Sequence, residues 1–116
     1  MHNATLKDLA AKLAARQVSS VEVTQYFLDR IAAGNATLNA FITVDAEKSL
    51  AQARAADERI AKGEAQPLTG IPIAHKDLFC AQGWRTTCGS KILENFIAPY
   101  DAHVIEQFNA AGAVIL

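Results

Sequence analysis

The run Ala113-Val-Ile-Leu116 constrains this chain most, because four consecutive apolar residues directly after Gly112 leave no polar face for water. Successive side chains of a strand point to opposite faces, so an unbroken apolar run fits a parallel strand covered on both sides. Such a strand needs helices packed over it, and helical patterns occupy much of the sequence. The fold class expected is therefore α/β, with N-terminal helices plus part of a mixed β-sheet flanked by helices. Domain termini normally lie at the surface and seldom coincide with a fully apolar strand. Residues 1–116 accordingly read as the N-terminal portion of a single domain, truncated at its C-terminus.

Thr5 followed by Asp8 has capping-box spacing, and Leu6, Leu9, Ala10 and Leu13 recur at helical intervals, predicting a first helix that ends near Arg16. Ser19 with Glu22 repeats the start signal. Val23, Phe27 and Ile31 form the next apolar stripe, and Gly34 stands where a C-cap glycine would close the second helix. Ala40-Phe-Ile-Thr-Val44 is rich in β-formers and predicts a short strand. Ala46 to Lys62 predicts a third helix with Leu50, Ala53 and Ile60 on one face. Gly63 to Gly70, with Pro67, reads as a connection, and Ile71 to Lys76 as a strand. Trp84 to Cys88 predicts a second extended run and Ile92 to Pro99 an irregular one. Asp101 is the expected N-cap of a last helix carrying Val104, Ile105, Phe108 and Ala111, closed by Gly112.

With 51% hydrophobic and 20% charged residues, the composition is that of a globular chain rather than a disordered one. Eleven Lys and Arg against twelve Asp and Glu give a net charge of −1, and no two basic residues are adjacent. A sequence-independent grip on nucleic-acid phosphates needs clustered cations, so this stretch is not expected to hold RNA. Cys80 and Cys88 have no second pair, which fits neither a zinc site nor a disulfide framework, and both read as free thiols. The first thirty residues lack the basic-then-apolar pattern of a signal peptide, and no apolar run approaches membrane-spanning length. The expected location is cytoplasmic, which makes the sequons at Asn3 and Asn35 chance matches.

Lys76 is the residue most open to chemistry. It follows the apolar run Ile71 to His75, and by strand alternation it shares a face with Pro72 and Ala74 while His75 points away. Lysines are seldom buried unless paired, and desolvation of an ammonium favours the neutral amine that can accept a proton. A serine hydroxyl needs such a base to become a nucleophile. The competing reading is a lysine that snorkels to solvent or pairs with Asp77. His75 fits a packed or surface role better than acid-base work. Asp77 suits either orientation of Lys76 or a turn, Cys80 and Cys88 have no evident histidine partner, and Trp84 and Phe79 suit core or pocket wall.

Three segments, GIPIAHKD at Gly70 to Asp77, TTCGS at Thr86 to Ser90 and DAHVIEQFNAAGAVI from Asp101, occur in that order. Together they resemble the amidase-signature family. The resemblance covers Leu68 to Leu116 closely and the preceding helices more loosely. It implies a triad of a nucleophilic serine, a bridging serine in a cis peptide, and a lysine at the position of Lys76. Both serines would lie in a glycine- and serine-rich stretch beyond Leu116, so residues 1–116 alone are expected to be inactive. Ser90 corresponds to the structural serine of the TTCGS turn.

Within the family, Asn95 to Val104 is most similar to the A subunits of aspartyl/glutamyl-tRNA amidotransferases. That likeness implies a glutaminase in a heterotrimer. Glutamine would donate the amide, the B subunit would use ATP and magnesium on misacylated Glu-tRNA(Gln) or Asp-tRNA(Asn), and a small C subunit would wrap both. No cofactor is expected in this chain itself. The alternatives are a stand-alone amidase acting on a small carboxamide and a non-catalytic gene fragment.

Overall fold

The computed structural model describes all 116 residues, Met1 to Leu116. Helix α1 (Leu6–Ala14), helix α2 (Ser20–Leu38) and helix α3 (Ala46–Ala61) precede strand β1 (Pro72–Ile73). A 3-10 turn at Lys91–Leu93, helix α4 (His103–Ala111) and strand β2 (Val114–Ile115) complete the chain. The two strands pair in parallel, with Pro72 opposite Val114 and Ile73 opposite Ile115.

Local chemistry explains the helix starts. Thr5 and Ser19 each accept from the backbone N–H three residues on, while Asp8 and Glu22 reach back to the cap N–H, completing two capping boxes. Losing either cap hydroxyl would cost about 1 kcal/mol. The expected apolar stripes point inward. Leu9, Leu13 and Val23 are buried with Ile60 and Ile71, although Leu6 at the edge of its stripe is half exposed.

Strand β2 is covered on both faces, as its apolar sequence requires. Val114 packs with Ala53 and Ala56 of α3, while Ile115 packs with Ala81, Trp84 and Ile105. The alanine-rich face of α3 lets that helix sit close. Gln52 of α3 accepts the Ile115 N–H at 2.8 Å, satisfying a backbone donor that β1 does not reach. Both strands are entered through glycines in the left-handed region, Gly70 at φ 81° and Gly112 at φ 76°, joined by a 2.8 Å bond from Gly70 N–H to Gly112 O. The guanidinium of Arg59 and the hydroxyl of Thr69 donate to Ala110 O and Ala111 O, closing the end of α4.

Several expectations are corrected. Helix α2 does not stop at Gly34; it runs on to Leu38 and ends at Asn39, whose φ of 48° makes it the left-handed cap. Ala40 to Val44 forms no strand, because side chains occupy its backbone. Asn35 accepts from Phe41 N–H and donates to Phe41 O, at 2.8 and 2.9 Å, mimicking a strand partner. The strand expected over Ile71 to Lys76 is paired only at Pro72 and Ile73. Trp84 to Cys88 contributes a single antiparallel bridge, Arg85 to Ile97, rather than a strand. Asp101 sits one residue too early to cap α4. Its carboxylate instead accepts from Gln82 N–H at 2.6 Å and from Asn109 at 3.0 Å, and Ala102 caps the helix without a side-chain bond.

Candidate active site

Beyond Ile73 the chain leaves the sheet, and Ala74 to Asp77 form one side of a cavity of about 360 Å³. The other sides come from Ala40 to Thr43, from Trp84 and Arg85, and from Leu116 at the end of β2. A cleft beyond the carboxyl ends of parallel strands is where open α/β sheets place their chemistry.

Lys76 is exposed within this cavity, and its side chain neither donates a hydrogen bond nor forms a salt bridge. Of the two forms of the competing reading, the pairing with Asp77 is not made, whereas a lysine side chain open to solvent is what the structure has. His75 lines the same cavity as Lys76, on a stretch beyond the last paired residue where the alternation of a regular strand no longer governs. The His75 ring lies 3.0 Å from the Lys76 carbonyl oxygen, a local contact that folds the imidazole against its own backbone.

Asp77 organises the turn that follows. Its carboxylate accepts from the Thr87 N–H at 2.8 Å, from the Thr87 hydroxyl, and from the Gly89 N–H at 3.4 Å, while its carbonyl accepts from Cys88 N–H at 2.8 Å. Burial pushes the Asp77 carboxyl up, but the Thr87 and Gly89 hydrogen bonds, aided by the charge of Arg85, outweigh it and hold the group below the ordinary carboxylate range. The turn role anticipated for this residue is the one observed. Cys88 and Gly89 both take left-handed backbone, at φ 53° and 66°, which wraps the turn around the carboxylate. One residue thus ties the lysine-bearing loop to the TTCGS segment.

The chain's four serines have other employment. Ser19 caps α2, the buried Ser20 donates to Gly70 O at 3.0 Å, Ser49 donates to Asp45 O at 2.9 Å, and Ser90 accepts from Ile92 N–H at the 3-10 turn. None lines the cavity. Cys80 and Cys88 are free thiols. Trp84 fills both anticipated roles, being buried against Ile105 and Ile115 while forming a cavity wall. No helix is long and apolar enough to cross a membrane.

Sequence reasoning missed Arg85 and the 40–43 segment it contacts. The Arg85 Nε donates to the Thr43 hydroxyl at 3.2 Å and its Nη2 to Ile42 O at 3.1 Å. Contacts across more than forty residues of chain leave no local periodicity to read. The one available signal was position, since Arg85 immediately precedes the TTCGS motif.

Comparison with known proteins places this geometry in context. A family model described as Amidase matches residues 22–116. The A subunit of the glutamyl-tRNA(Gln) amidotransferase of Methylobacillus flagellatus is 68% identical over 116 residues, covering all of this chain and 24% of that protein. Its counterpart in Thiobacillus denitrificans is 69% identical over 108 residues, covering 93% of this chain and 22% of the relative. The chain thus spans about a quarter of the length of the curated relatives it matches. Among solved structures, the native peptide amidase from Stenotrophomonas maltophilia superposes with a TM-score of 0.92 at 35% identity, covering 98% of this chain and 24% of that one.

Proposed function

The chain belongs to the amidase family, and from that premise we propose that Lys76 is the general base of a serine amidase centre that releases ammonia from glutamine for tRNA-dependent amidation. The observation that carries this reading is the setting of Lys76: an uncommitted amine in the cleft beyond two parallel strands, on a loop fixed by Asp77. The relatives named as amidotransferase subunits are far more similar to this chain than the peptide amidase is, 68% against 35%, which favours the glutaminase over a stand-alone amidase.

In the proposed reaction a serine hydroxyl attacks the carboxamide carbon of glutamine as Lys76 Nζ accepts its proton, relayed through a bridging serine. The carbon–nitrogen bond then breaks, the nitrogen leaves as ammonia carrying that proton, and a glutamyl ester remains for water to hydrolyse. All four serine hydroxyls of residues 1–116 serve backbone groups, so nucleophile and bridge are assigned to the portion of the relatives' length that this chain does not span. That portion would also cover the cavity and desolvate Lys76. Ammonia would pass to a B subunit using ATP and magnesium on the misacylated tRNA, with a C subunit completing the assembly.

The test is Lys76→Ala in the full-length protein assembled with its partners. Glutaminase activity and glutamine-driven amidation should both disappear, since members of a catalytic triad act as a unit. Amidation from added ammonium salts should survive because it bypasses this centre. Lys76→Arg should fail nearly as badly, as a guanidinium stays protonated. Wild-type glutaminase rates in Lys76→Ala would refute the assignment, and loss of the ammonium-driven reaction would show that the lysine supports the structure instead.

A further inference from the structure

We propose that Arg85 is a positioning residue of this centre: it holds the Ile42–Thr43 segment in place as a wall of the Lys76 cavity, and so sets how tightly the amide substrate is seated. The inference rests on the reading of Lys76 given above and adds to it a determinant of substrate binding outside the triad.

The segment needs such a hold. Ala40 to Val44 pairs with no strand, and Ile42 and Val44 are exposed, at 53% and 39%, so little apolar packing fixes them. The segment is tied down by polar contacts at three points. Asn35 brackets Phe41 from the helix side. Lys48, in the first turn of α3, pairs with Asp45 at 2.9 Å, donates to Gly83 O at 2.9 Å and lies 5.4 Å from the centre of the Trp84 ring. Between these two, at the residues that line the cavity, Arg85 makes the connection.

Arg85 is equipped for it at both ends. Its backbone is clamped by three bonds between neighbouring residues: Gly83 N–H to Ala98 O, Ala98 N–H to Trp84 O, and Thr86 N–H to Phe96 O, at 2.9, 2.9 and 3.0 Å. Its guanidinium presents donors in a planar fork, and two of them meet Thr43 Oγ1 and Ile42 O. The same charge acts on Asp77, next to Lys76. One side chain therefore borders two walls of the cavity, and its loss would free the wall that has no other hydrogen bond at residues 42 and 43. A wall that binds substrate and transition state alike acts on KM rather than on kcat.

The experiment compares Arg85→Ala, Arg85→Lys and Thr43→Val in the full-length, assembled protein, with Lys76→Ala beside them. Arg85→Ala should raise KM for glutamine roughly tenfold while changing kcat by less than about threefold, the size expected for two lost hydrogen bonds that act on binding. Arg85→Lys, with one compact donor in place of the fork, should recover part of that loss. Thr43→Val should raise KM by roughly threefold and add little to Arg85→Ala, because both remove the same link. Ammonium-driven amidation should be unaffected in all three.

A KM within twofold of wild type in Arg85→Ala overturns the inference. So does a parallel fall in kcat, ammonium-driven rate and melting temperature, which would mark a prop for the fold. If Arg85→Ala does not fold, Thr43→Val decides, and an unchanged KM there overturns the inference. Inactive Lys76→Ala with unchanged KM in the other variants defeats this inference alone, whereas active Lys76→Ala defeats the reading on which it rests.

Discussion

Replacing Gly70 with alanine should loosen the entry to β1, and the structure allows the size of the effect to be worked out. Gly70 has φ 81°, and a Cβ there would lie 3.0 Å from Ser20 Cβ and 3.1 Å from Ser20 Oγ. Left-handed backbone costs a residue with a Cβ about 1–2 kcal/mol. Ser20 cannot easily yield, because it is fully buried, its N–H is held by Asp57 at 2.6 Å, and its hydroxyl donates to Gly70 O. Overpacking of that kind costs about 1–3 kcal/mol, and the reduced freedom of the unfolded chain returns about 0.4–1 kcal/mol. The net destabilisation should be about 2–4 kcal/mol. Hydrogen exchange in the full-length protein should report it as roughly thirtyfold to a thousandfold faster local opening in peptides covering Ser19 to Leu28 and Thr69 to Lys76. Adding Ser20→Gly should remove the contact and leave mainly the backbone cost. Exchange within twofold of wild type in the single variant would show that the glycine is not needed for close approach.

Two further outcomes follow from carboxylates that brace the backbone. Asp77→Asn keeps an oxygen for one donor but turns an amide group toward the others, so the Thr87–Gly89 turn should loosen. The folded-state pKa of Asp77 is depressed, so its contribution is present above the ordinary carboxylate value of about 3.9 and is lost as pH falls through the lower folded value. The melting-temperature gap between wild type and Asp77→Asn should therefore be constant from neutral pH to about pH 5 and close as the pH drops below about 4; a gap that widens in acid would refute this. Asp57→Ala removes the acceptor for both Ser20 and Val21 N–H, at 2.6 and 3.1 Å, and should lower stability by about 1–2 kcal/mol, read as a denaturant midpoint shift. An effect no larger than that of Glu58→Ala, its exposed neighbour, would show that α2 does not depend on this distant cap.

The parts of this fold that could be read from sequence are those decided within one or two helical turns. The capping boxes at Thr5 and Ser19, the span of α3 and the closing glycine of α4 all involve groups three or four residues apart, where spacing and geometry coincide. The doubly covered strand was legible because four apolar residues exclude a wet face. The errors fall where a distant or unexpected partner decided the outcome. Gly34 looked like a stop, but Asn35 one position later braces the following segment from within the helix, and so the helix continues. Ala40 to Val44 has strand composition, yet asparagine and arginine side chains take the backbone groups that a strand would have used.

The same distinction governs the site. The sequence singles out Lys76 because a lysine after an apolar strand is chemically out of place and because the motif around it is continuous; that it lines the cavity is the part the structure adds. Its setting is not legible in the sequence, since Lys76 lies three residues beyond the last paired position, where strand alternation no longer governs and both it and His75 line the cavity. Asp77 shows how the two kinds of information join. Its adjacency to Lys76 is sequence, whereas its bonds to Thr87 and Gly89 are fold, and only together do they explain why GIPIAHKD and TTCGS work as a pair. The first motif supplies the amine and the carboxylate, and the second supplies the donors that hold the carboxylate. A substitution in either should therefore move the lysine loop, even where the substituted residue never approaches the amine.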